Sequence, residues 1–165
     1  MDNYSREELL ELGFSKVGAD VVVSRDVRFF AIEGSLGDRV RIDTYSIITG
    51  HVVLGDDVHI APLTFLSATG GRITMKNGSG TGPHVAILTR SDDYTAADLD
   101  DGAKVESDIT VGTNAIIGSG CKLLPGAHIG DNASLGSNCV ISGEVAAGDM
   151  VVSRGASTIT MGNRL

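Results

Sequence analysis

Four histidines, His51, His59, His84 and His128, are the side chains of this 165-residue chain best suited to accept a proton at neutral pH. Each is a candidate general base. The run Asp92, Asp93, Tyr94 opens an acidic stretch in which five of residues 92–101 are Asp. A carboxylate there could orient an imidazole ring or hold substrate hydroxyls, and solvation alone would also account for so acidic a loop. The two cysteines, Cys121 and Cys139, lie 18 residues apart.

What must position these residues is a backbone with a six-residue unit. An apolar residue returns at Leu36, Ile42, Ile48, Leu54, Ile60 and Leu66, and again at Val111, Ile117, Leu123, Ile129, Leu135 and Ile141. Helices repeat at about 3.6 residues and strands at 2, so neither explains the beat. A coiled parallel β-solenoid does. The fifth place of each unit is also inward and small or β-branched: Val40, Ser46, Val52, Val58 and Thr64, then Ala115, Cys121, Ala127, Ala133 and Cys139.

Three units make an 18-residue coil, which stacks Leu36 under Leu54, Val111 under Ile129 and Cys121 under Cys139. Both cysteines are then expected as buried, reduced core thiols. By the same register His59 and His128 fall at outward corner positions, and His51 falls mid-wall. A one-residue slip at residues 29–35 reads as a corner bulge. Ile73 comes one residue late, with Ser79 and Val85 in phase with it, and residues 90–104 leave the pattern as a loop extruded from a corner. Loops of that length are often functional.

Ser5 and Glu8 form an S-x-x-E capping box before a short helix that Gly13 ends. The expected organisation is one all-β domain over 1–165. Residues 1–16 form a helical cap over an exposed solenoid end, and residues 17–165 form the solenoid. The 22 glycines and 4% aromatics suit tight corners and a narrow interior. The net charge of −8 argues against a nucleic-acid partner. No run approaches the roughly 20 apolar residues of a membrane span, and the acidic N-terminus does not read as a signal peptide, so a cytoplasmic protein is expected.

The units LGDDVH, IGSGCK, IGDNAS and LGSNCV resemble the hexapeptide-repeat acyltransferase superfamily, whose left-handed parallel β-helices assemble as homotrimers. Within it, LGDDVHIAPLTFL and SDDY look like the sugar O-acetyltransferases of bacterial surface-polysaccharide pathways. The resemblance implies an acetyl-CoA-dependent acetyltransferase acting on a sugar or nucleotide-sugar hydroxyl, with active sites between subunits. The alternative it implies is N-acetylation of a nucleotide-linked amino sugar. Acyl transfer needs a base, an oxyanion donor and a groove holding both reactants, and no metal.

The segment VHIAP makes His59 the first candidate for the base, with His84 next. His51 stays open, because HVVLGDDVH is similar to the amino-sugar N-acetyltransferases in which the first His is the base. His128 reads as a surface residue. The resemblance further implies catalytic or sugar-orienting roles for Asp93 and substrate contacts for His51, Asp92 and Tyr94. For coenzyme A it implies close backbone approach at Gly118 and Gly120 and phosphate contacts at Lys122 and Arg154. Where such proteins carry G-N-P-A, this chain has Ser153, Arg154, Gly155 and Ala156. Two other classes share the solenoid. A γ-type carbonic anhydrase would need an H-x-x-x-x-H pair that this chain lacks, and a non-catalytic scaffold would leave the loop and outward histidines without a use.

Overall fold

Each hexapeptide supplies a short flat strand and a corner, and successive coils stack these strands in parallel. The computed structural model describes residues 2–93 and 102–154. On the first wall the register runs Val17, Leu36, Leu54, Met75, Val111, Ile129 and Val145. On the second it runs Val23, Ile42, Ile60, Thr81, Ile117, Leu135 and Val151. The third aligns Phe29, Ile48, Leu66, Ile87, Leu123 and Ile141. The result is a parallel β-solenoid of about seven turns with one short N-terminal helix.

The expected inward positions are buried except Ile141, which is only partly so. Leu36, Ile42, Ile48, Leu54, Ile60 and Leu66 fill the lead places of the first block, and Val111, Ile117, Leu123, Ile129 and Leu135 those of the second. All ten of the expected small fifth-place residues are buried as well. Cys121 and Cys139 are free, buried thiols, one rung apart in the column that pairs Lys122 with Val140.

Corners demand left-handed backbone. One column of corners places Asp20, Arg39, Asp57, Asn114 and Asn132 at φ between 55° and 58°. Asp and Asn tolerate this region better than most residues. Arg39 is the exception by type, and its guanidinium is clamped by Asp57 one coil on, with Nε 2.6 Å from Oδ1 and Nη2 2.7 Å from Oδ2.

Four sequence expectations need adjustment. First, Ile73 pairs with Val52, so it takes the small fifth place and not a lead place, and Met75 takes the lead opposite Leu54. The cause is an insertion: residues 69–72 stand opposite the single residue His51. Ser79 and Val85 shift with it, leaving Thr81 and Ile87 as leads opposite Ile60 and Leu66.

Second, the stem of the extruded segment is a hairpin and not a loop. Arg90–Asp92 pairs antiparallel with Lys104–Glu106, and the chain leaves and rejoins the coil where Ser107 N–H donates to Thr89 O at 3.0 Å. Third, the solenoid begins before residue 17, because Phe14–Val17 already pairs with Gly34–Leu36. The helix itself covers only Arg6–Glu11, capped by Ser5 and Glu8, with Leu9 buried against the first coil.

Fourth, the outward histidines are placed differently. His59 and His128 each begin a two-residue strand, His59–Ile60 and His128–Ile129, and so lie on walls. His51 stands at a bulge between Gly50 and Val52, where the third wall turns into the first. The slip near residue 30 is such a bulge too, between Phe30 and Glu33.

Candidate functional site

Stacking sets the neighbours of every outward side chain. On the second wall Arg41 lies on the rung below His59 and Gly80 on the rung above. Asp43, two residues beyond Arg41, donates its N–H to Ile60 O at 2.9 Å, which ties it beside the His59 strand. Its carboxylate closes a three-residue cluster: Oδ2 lies 2.8 Å from His59 Nε2, and Arg41 Nε donates to Oδ1 at 2.7 Å.

The Asp43 side chain is only 16% exposed, whereas that of His59 is 46% exposed. Burial works to raise the Asp43 carboxyl pKa, but the hydrogen bonds from His59 and Arg41 outweigh it, and the net shift is downward. Asp43 is therefore an ionised acceptor at neutral pH. Beside it a cleft of about 280 Å³ is lined by Asn3, Val22, Ser24, Arg41, Ile42 and Asp43.

A second group gathers where the third wall turns into the first. His51 is there, its Nδ1 4.0 Å from Glu33 Oε2. In the coil above, the inserted residues 69–72 occupy the corner, and Arg72 N–H donates to Asp108 Oδ1 at 2.7 Å. The hairpin rises above these. Lys104 is paired with Asp92 across it, and Arg90 Nε lies 3.1 Å from Glu106 Oε1. Lys104 holds the Asp92 carboxyl below its ordinary pKa. Ser91, Asp92, Asp93, Val105, Leu124, Pro125 and Ser142 enclose a cleft of about 190 Å³.

The third corner carries His84, at φ 59° in a column with Tyr45 and Leu63 below it and Gly120 and Asn138 above. Gly118 lies at the end of the adjoining wall, where a Cβ would stand 2.5 Å from Leu135 O. Stacking alone thus requires that glycine. Lys122 is exposed on the third wall between Ala86 and Val140. Arg154 is exposed three residues past Val151.

The fold therefore distributes the sequence candidates over three edges. It brings Asp92 and Asp93 into one cleft and puts His51 in the same corner column two coils below. It does not bring His59 or His84 to that cleft within one chain. Tyr94 lies outside the described residues. Sequence reading missed Arg41 and Asp43. The signal was present: Arg41 is 18 residues before His59, one full coil, so the two had to stack.

Among the described residues no three His, Cys, Asp or Glu side chains gather as metal ligands, and no helix is long and apolar enough to cross a membrane.

The geometry is that of a parallel β-solenoid built from hexapeptide units. Residues 108–143 match the family model described as bacterial transferase hexapeptide (six repeats). Among solved structures, the N-acyltransferase AntD from Bacillus cereus, in complex with dTDP and 3-hydroxybutyryl-CoA, is similar at 25% identity and a TM-score of 0.82, over 92% of this chain and 85% of that one. A maltose O-acetyltransferase from Clostridium difficile is similar at 22% identity and a TM-score of 0.59, over 90% and 70%. A galactoside acetyltransferase in complex with coenzyme A gives 21% and 0.59, over 90% and 65%. No curated protein matches the sequence. The chain thus carries the hexapeptide repeat over residues 108–143 and shares its solenoid fold with these acyltransferases.

Proposed function

We propose that the protein is an acyl-CoA-dependent acyltransferase acting on the amino group of a nucleotide-linked sugar. The observation that carries this reading is the likeness to AntD, which extends over 92% of the chain at a TM-score of 0.82. The two O-acetyltransferases reach only 0.59. Transfer to a sugar hydroxyl, in surface-polysaccharide synthesis, is the second reading. It is favoured by the similarity of LGDDVHIAPLTFL and SDDY to O-acetyltransferases.

His59 is the proposed general base. It is half-exposed and anchored by Asp43, which itself lines a cleft, and a base must be accessible in order to meet an acceptor. The acceptor nitrogen attacks the thioester carbonyl as His59 takes its proton, backbone amides hold the oxyanion, and the coenzyme A thiol leaves. Gly118 and Gly120 let the pantetheine arm approach the backbone closely, and Lys122 and Arg154 supply cations for its phosphates. The hairpin cleft, with Asp93 and Asp92, holds the sugar, His84 and His51 contribute from their own edges, and Tyr94 is a further substrate contact by sequence resemblance alone.

Because these elements lie on different edges, a site assembled between subunits of a homotrimer would unite them. Exposed apolar side chains, with Tyr45 and Leu63 in one corner column and Ile47 paired with Phe65 on the adjoining wall, support self-association. This reading includes a cytoplasmic location, where acyl-CoA and nucleotide-linked sugars would both be met. The test is thiol release from acetyl-CoA and 3-hydroxybutyryl-CoA with dTDP-linked amino sugars, alongside maltose and galactosides. Release with the amino sugars alone supports N-transfer, and release with the hydroxyl acceptors alone overturns it in favour of O-transfer.

A further inference from the structure

Resting on the assignment of His59 as the base, we infer that Asp43 is a positioning residue for the transfer: it grips His59 through Nε2 and leaves Nδ1 as the nitrogen that accepts the proton.

Three observations converge. Asp43 has both oxygens engaged, Oδ2 by His59 and Oδ1 by Arg41, so its carboxylate cannot rotate without breaking a contact. Its backbone is fixed separately by the bond from its N–H to Ile60 O. An ionised carboxylate only accepts hydrogen bonds, so Nε2 carries the hydrogen and the neutral ring presents its lone pair at Nδ1. The same preference follows from the Arg41 guanidinium, which holds negative charge on Asp43.

The rung above is open. Gly80 stands over His59, where the rungs on either side carry His59 and Ile116. A Cβ added at Gly80 would lie 3.3 Å from His59 O and 3.8 Å from His59 Cβ, and its φ is not left-handed. Neither backbone conformation nor a severe clash demands glycine here. A glycine within a strand commonly marks close approach by another group, and here the vacant rung flanks the imidazole on the side away from Asp43. Asp43 holds the ring from the preceding coil, and Gly80 leaves the next coil without a side chain beside it.

The chemistry balances without further reactants. As the N–C bond forms and the thioester C–S bond breaks, the acceptor's proton passes to Nδ1 and then to the departing thiolate. Asp43 stays ionised throughout and stabilises the transient imidazolium.

The test compares Asp43→Asn, Asp43→Glu, His59→Ala and the Asp43→Asn/His59→Ala double variant, each checked for wild-type assembly and thermal unfolding. The Asp43→Asn variant is expected to lose about 10- to 100-fold in kcat, with KM for the acyl-CoA within about twofold. The double variant should be no slower than His59→Ala alone, because the two residues act as one unit. Asp43→Glu should recover part of the loss. Independently of turnover, ¹⁵N NMR of wild-type His59 should show the Nε2–H tautomer, with a mixture in Asp43→Asn. A wild-type Nδ1–H tautomer overturns the inference, as does an Asp43→Asn enzyme with near-normal kcat while His59→Ala is inactive. If His59→Ala itself keeps full activity, the base assignment fails and the role of Asp43 falls with it.

Discussion

Gly34 lies so close beneath Val52 that a Cβ on it would stand 1.9 Å from the Val52 carbonyl oxygen, and its φ is +127°. Gly50 repeats the contact one coil on, 2.0 Å from Ala68 O. These glycines are what lets the long strands Arg28–Leu36 and Ile47–Leu54 turn from the third wall into the first without losing their ladder. Gly34→Ala adds both strain and a clash with backbone that cannot yield cheaply. We expect a loss of about 2 kcal/mol or more, at the upper end of single substitutions. Urea unfolding followed by circular dichroism measures it, and a change below 0.5 kcal/mol, about the size of an ordinary surface substitution, would show that the corner relaxes.

The two thiols should be inert in the native protein. Cys121 is buried and its Sγ lies 3.0 Å from Gly136 O, and burial pushes its thiol pKa up. The reactive species is the thiolate, which is therefore scarcer than for a free cysteine at pH 8. Alkylation by iodoacetamide at pH 8 should leave both cysteines unmodified in native buffer and label both in denaturant. Labelling at equal rates in the two conditions would contradict the packed column.

The fold was legible because an 18-residue register converts a repeat into neighbours: once Leu36 is placed, Leu54 lies above it. The same arithmetic placed Cys121 and Cys139. What escaped is instructive. Asp43 occupies no inward position, so no pattern marks it. It matters because its side chain turns along the wall toward the next coil. The hairpin escaped because its strands, Arg90–Asp92 and Lys104–Glu106, are held by charge pairs and lack apolar alternation. The shift at Ile73 came from three residues added at a corner, which a six-residue ruler cannot absorb.

Asp43 should also leave a mark on acid stability. Its folded pKa lies below the unfolded value of about 3.9, so it contributes stability above that value and loses it as pH falls through the folded pKa. The stability gap between wild type and Asp43→Asn is therefore expected to be largest above about pH 5 and to close as the pH falls further. Melting temperatures taken between pH 7 and pH 3 follow this. A gap that stays constant would mean that the carboxylate is not held in its charged form by His59 and Arg41.

Thr81 occupies a lead position that its neighbours in the column, Ile60 and Ile117, fill with hydrocarbon. It is buried, and its Oγ1 accepts the Ala61 N–H at 3.1 Å and lies 3.4 Å from Thr64 Oγ1. One coil below, the equivalent N–H of Asp43 donates to the Ile60 carbonyl, so at Ala61 a side chain has taken over a backbone acceptor's place. Thr81→Val keeps the volume and opens no cavity, yet leaves the buried Ala61 N–H unpaired, which costs about 1–3 kcal/mol. Thr81→Ser keeps the acceptor and loses one methyl, worth about 1 kcal/mol. If the hydrogen bond dominates, the Val variant melts below the Ser variant. If filling the column with hydrocarbon dominates, the order reverses, and the Ala61 N–H must then find the Thr81 carbonyl that the ladder would ordinarily offer it.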